Sequence, residues 1–129
     1  MAVTITPLYA ALLALLFLVL SARVILYRRA RSLNLGDEGD RQLLKRMRAQ
    51  GNCAEYAPIG LILLLLAEAQ DAPALDLHPL GLARLGGRVS HGVGLSSNPQ
   101  RLILRQLGMV LTLSMIALTS LGLLAHALL

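Results

Sequence analysis

No charged side chain occurs from Met1 to Ala22, and none occurs again from Gln106 to Leu129. Each run exceeds the roughly 20 apolar residues with which an α-helix crosses a hydrocarbon core. Both ends of the chain are therefore expected to lie in lipid, where only helices or closed barrels satisfy every backbone polar group. The apolar share of the chain is 56%, yet there is no Trp and one Phe, so that share is mainly Leu and Ala, as in lipid-facing helices. No Lys or Arg precedes the first run, and the cations follow it. That is the pattern of a retained span, not of a cleaved signal peptide. With 129 residues the chain has room for one domain.

The patterning predicts an all-α integral membrane protein, a bundle of four transmembrane helices at about 7–27, 40–68, 74–95 and 99–127. Pro7 suits a first helical turn. Asp37 and Asp40, in the turn-prone run Gly36–Asp40, can cap the second helix. In that helix Pro58 removes one backbone hydrogen bond and is expected to bend it. The third helix is diluted by Asp76, His78, Pro79, Arg84, Arg88 and His91, and alone it would read as an amphipathic surface helix. Its charges are ordered, however: Arg84, Arg88, His91 and Leu95 stand at i, i+4, i+7 and i+11, one narrow basic face. Its glycines permit close helix contact. Ser97 or Asn98 is expected to cap the fourth helix, with Pro99 in its first position and Arg101 and Arg105 in its first turns.

Eight of the twelve cations lie between Arg23 and Arg48, and the other four lie in the third helix and at the start of the fourth. By the positive-inside rule both termini are outside and both basic connections are cytoplasmic, which accounts for the net charge without nucleic acid. The polar ends of all four helices then meet at one membrane face.

At that face the second helix carries Arg48, Asn52 and Glu55 at i, i+4 and i+7, within roughly 60° of arc, with Tyr56 at the edge. Ionisable groups near a lipid core are unfavourable unless they pair or face a wet cavity, so this stripe is the first place to look for function. Arginines suit carboxylates, Glu55 suits an ammonium, and Asn52 suits an amide backbone. A cation beside a thiol also lowers its pKa and favours the nucleophilic thiolate. Plainer alternatives exist. Arg48 and Glu55 can form an ion pair that fixes assembly, Asn52 can join helices, and Tyr56 can anchor at the interface. His91 is expected to bond a carbonyl, since no second ligand makes it a metal site. Arg28, Arg29 and Arg31 suit topology and headgroups, and the lone Cys53 is expected to be inert.

The run Arg48-Ala-Gln-Gly-Asn-Cys-Ala-Glu-Tyr-Ala-Pro58 resembles the signature of the membrane-associated proteins in eicosanoid and glutathione metabolism, the MAPEG superfamily. Gly87-Arg88-x-x-His91-x-x-Gly94, the arginines after the first helix and those opening the fourth extend the resemblance over most of the chain. The resemblance implies a homotrimer of four-helix protomers that binds glutathione between subunits near the cytoplasmic side, with no metal. Residue by residue, it implies that Arg48, Asn52, Glu55, Tyr56, Arg88 and His91 bind glutathione, with Gln50 serving a neighbouring subunit and Arg29 a minor contributor. It further implies that Arg101 or Arg105 stabilises the thiolate, spacing slightly favouring Arg101. His91 stands where eukaryotic relatives carry a tyrosine, as in bacterial-type members, and the short chain also suggests a bacterial inner-membrane protein. The expected activity is glutathione transfer to a hydrophobic electrophile, with peroxidase activity as an addition. The alternatives are a lipid-binding member without catalysis and a proton-coupled exporter using Glu55. An arginine two turns away would hold Glu55 ionised, which suits binding better than proton cycling.

Overall fold

The computed structural model describes residues 2–129 and consists of four helices, α1 (Ile5–Arg31), α2 (Arg41–Ala69), α3 (Ala74–Ser96) and α4 (Leu102–Leu128). α2 and α3 form the central pair, each touching all the other helices, whereas α1 and α4 flank them without touching one another. α1, α2 and α4 are each long and apolar enough to cross a membrane. α3 is not, because Arg84, Arg88 and His91 lower its hydropathy. These three side chains are only 0%, 1% and 6% exposed, so they point into the bundle while Leu82, Val89 and Val93 face outward. The same inward placement is usual for ionisable groups in membrane helices.

Two apolar clusters form the core of the bundle. Tyr9, Leu64, Ala67, Leu77 and Met115 form one, and Leu20, Ala49, Cys53 and Leu95 form the other. Beside them lies a buried polar layer containing Asn52, Arg84, Arg88 and Thr112. α3 and α4 share the most extensive contact. A Cβ on Gly87 would stand 2.9 Å from the Gly108 carbonyl oxygen, and one on Gly108 would stand 2.6 Å from the His91 amide nitrogen. Small residues at this crossing therefore allow backbone-to-backbone approach, the usual basis of helix association in lipid.

Helix ends follow local chemistry. The Asp40 carboxylate accepts hydrogen bonds from the amides of Gln42 (2.9 Å) and Leu43 (3.1 Å) and so caps α2. α2 continues as a helix through Pro58. The start of α4 differs from the sequence expectation. Pro99 lies in the turn, α4 begins at Leu102, and Arg101 occupies the cap position without a side-chain cap bond. Asn98 does not cap because its side-chain oxygen accepts instead from Lys45 Nζ (2.6 Å) and Gln42 Nε2 (3.0 Å), tying the turn to α2. At the opposite end Glu68 accepts from the amides of Thr4 (2.7 Å), Ile5 (2.6 Å) and Thr6 (2.6 Å). Those amides begin α1 and have no partner within the helix.

Candidate functional site

A crevice of about 450 Å³ opens at the basic end of the bundle between α2, α3 and the start of α4. α2 contributes Arg41, Lys45, Arg48 and Asn52, which stand at i, i+4, i+7 and i+11 and therefore share one face. α3 contributes His91 and Leu95, and the far wall consists of Gln100, Arg105 and Met109. Four cations and no carboxylate line it, so its field attracts an anion.

Asn52 is held from behind. Arg88 donates through Nη1 to the Asn52 side-chain oxygen and, at 3.3 Å, to its carbonyl oxygen. Its Nε and Nη2 donate to Thr112 Oγ1 at 3.0 and 2.8 Å. A guanidinium is donor-only, so the Asn52 oxygen must turn toward it and the amide NH2 is left facing the crevice. That NH2 lies 3.8 Å from the sulfur of Met109, itself part of the crevice wall. Arg105 donates to Gln100 Oε1 at 2.7 Å, while its buried Nε has no partner.

The structure thus brings Arg48, Asn52, His91 and Arg105 together, and distributes the other expected residues elsewhere. Arg88 stands behind Asn52, not in the crevice lining, with Tyr56 beside it, the guanidinium carbon 5.4 Å from the ring centroid. Glu55 is exposed, as is Arg48, and no salt bridge joins them among the described residues. Gln50 faces α1 and donates to Ser21 Oγ at 3.2 Å. Arg29 and Arg101 are exposed outside the crevice. The expected bond from the His91 ring to a carbonyl does not form; the ring has no hydrogen-bond partner among the described residues and lines the crevice wall.

Sequence reasoning missed Arg41, Lys45 and Gln100 as lining residues. The signal for the first two was present, since the spacing that links Arg48 to Asn52 extends backward to both. Sequence reasoning put Arg84 on the basic face of the third helix but gave it no role; its guanidinium donates to the carbonyls of Tyr56 and Ala57.

The sequence profile described as the MAPEG family matches residues 6–126. "Inner membrane protein YecN" of Escherichia coli strain K12 is 36% identical over 90 residues, which make up 70% of this chain and 69% of that relative. The protein of the same name from Escherichia coli O6:H1 matches to the same extent. Profile and relative each span more than two thirds of the chain, and its apolar helices enclose a polar layer as membrane bundles do, so the chain is an integral membrane protein of the MAPEG family.

Proposed function

We propose that the protein is a glutathione transferase of a bacterial inner membrane, joining the glutathione thiolate to a hydrophobic electrophile on the cytoplasmic side. The observation that carries this reading is the convergence of Arg48, Asn52, His91 and Arg105, from three helices, on one crevice rich in cations. Glutathione bears two carboxylates. Arg41, Lys45 and Arg48 are suited to hold them, and the Asn52 NH2 to donate to a peptide carbonyl. Arg105 supports a thiolate better than Arg101 does, because it borders the crevice with an unpartnered buried Nε. A cation there lowers the thiol pKa. The thiolate sulfur then forms a bond to the electrophilic carbon as the leaving group departs with its electron pair.

The crevice itself offers no carboxylate to the glutathione ammonium. In a homotrimer, Glu55 of an adjacent protomer would supply it, and the exposed positions of Arg29 and Arg101 suit service to a neighbour's site, whereas Gln50 is engaged with Ser21 of α1 and Tyr56 stands beside Arg88. The inner-membrane location follows the name of the relative, and the loop charges support an orientation with both termini outside.

Glutathione titration of the detergent-purified protein, followed by ultraviolet thiolate absorbance, tests the reading. The wild type should develop thiolate absorbance at neutral pH, and Arg48→Ala should bind glutathione at least about tenfold more weakly. Neither thiolate absorbance nor conjugation of an electrophilic aryl halide by the wild type would overturn it. Binding without thiolate would favour the non-catalytic, lipid-binding alternative.

A further inference from the structure

Arg84 is fully enclosed (0% exposed) and takes no part in lining the crevice. It forms no salt bridge among the described residues, and its Nε has no partner. Burying a guanidinium without a counter-charge is strongly unfavourable, so its neighbours must account for it. Its Nη2 donates to two successive main-chain carbonyls of α2, those of Tyr56 and Ala57, and its Nη1 lies 3.7 Å from the Met115 sulfur. A helical carbonyl keeps a second lone pair and can accept such a bond without leaving the helix. The room comes from Gly60, where an added Cβ would fall on the guanidinium. One turn along α3, Arg88 grips the same helix at Asn52. α3 therefore holds α2 at two successive turns, immediately beside the residues that line the crevice.

We propose that Arg84, seated in the gap at Gly60, is a positioning residue: it fixes the rotation of α2 about its own axis and so the direction in which Asn52 and Arg48 enter the crevice. A rotation of about 20° would carry side-chain ends lying roughly 5 Å or more from the axis by about 2 Å. Misplacement on that scale is enough to spoil a bound geometry. The kinetic part of the test rests on the glutathione reading, and a second measurement does not.

That second measurement uses Cys53, the sole cysteine, which is 2% exposed beneath the same stretch of α2. In detergent-purified protein, N-ethylmaleimide should alkylate Cys53 at least about tenfold faster in Arg84→Met and in Gly60→Ala than in the wild type, with Arg84→Lys between. Gly60→Ala keeps the guanidinium and removes its seat, so it serves where Arg84→Met does not fold. With turnover, KM for glutathione should rise about tenfold while kcat keeps most of its value, and Arg84→Lys should restore part of the difference. A smaller folded fraction would do the reverse, lowering kcat and leaving KM. Unchanged Cys53 alkylation in both variants would overturn the proposal, as would faster alkylation with unaltered KM. Faster alkylation in a protein that binds no glutathione would leave the brace standing and remove the glutathione reading instead.

Discussion

Asn52 shows how one side chain can give a crevice its polarity. Because Arg88 holds its oxygen, the amide presents only donors, alongside the cations Arg41, Lys45, Arg48 and Arg105. Asn52→Asp would still accept from Arg88 but would place a carboxylate beside the ligand. The protein should remain folded while glutathione affinity, measured by titration, falls at least about tenfold. Arg105→Ala should reduce kcat by about ten- to hundredfold and remove the thiolate absorbance, whereas Arg101→Ala should change either far less in steady-state assays of the two variants. A different ionisation is expected outside the membrane. The amide of Leu43, with the Tyr27 hydroxyl and the Gln42 amide, holds the Asp40 carboxyl below its ordinary range. A depressed folded-state pKa stabilises above the unfolded value of about 3.9 and fades as pH falls through the folded value. The Tm advantage of wild type over Asp40→Ala should accordingly be full near neutrality and shrink with acidification below about pH 4. Asp40 as a cap was legible, since its ligands are local amides. The fate of Asn98 was not, because its oxygen is claimed by Lys45, 53 residues away in sequence.

Among the elements, α3 was the hardest to read from sequence and proves the most informative. Its mean hydropathy is lowered by charges that never meet lipid, and only neighbours reveal that Arg84, Arg88 and His91 point inward. The ordered spacing of those charges did disclose a single face; what it could not disclose was that α2 and α4 cover that face. The crossing with α4 depends on Gly87 and Gly108. Gly108→Leu should force the helices apart and destabilise the bundle by about 1–3 kcal/mol or more, read as a lower unfolding temperature in detergent. α1 depends on a residue far from it in sequence. Glu68 receives three amides from its first turn, and Glu68→Ala should cost about 1–3 kcal/mol by leaving them unpaired, again visible in thermal unfolding. In the sequence Glu68 is merely the last acid of an apolar run, and nothing near it announces that role.

At the scale of the molecule, the two ends of the bundle carry opposite chemistry. All Lys and Arg residues outside the buried layer lie toward the end holding the crevice, whereas Glu68, Asp71 and Asp76 lie at the other. The outward faces of α1 and α4 expose Leu15 (59%), Leu18 (61%), Leu118 (63%) and Leu121 (64%), surfaces suited to lipid or to other copies of the chain. If the site is completed between protomers, light scattering in mild detergent should give the mass of a homotrimer, and a protomer separated by harsher detergent should lose glutathione binding. The sequence by itself determined that this chain spans a membrane as a helical bundle with one basic end. Charge-free runs long enough to cross lipid allow little else, and periodicity places polar residues on faces. Tertiary structure alone decided which of those residues meet. Arg105 borders the crevice while Arg101 does not, and Arg84 and Arg88 serve α2 from inside the core. The reason is physical: helical spacing fixes the direction of a side chain about its own axis, but what stands opposite depends on how closely neighbouring helices approach and how they are rotated, and here small residues such as Gly60, Gly87 and Gly108 set that.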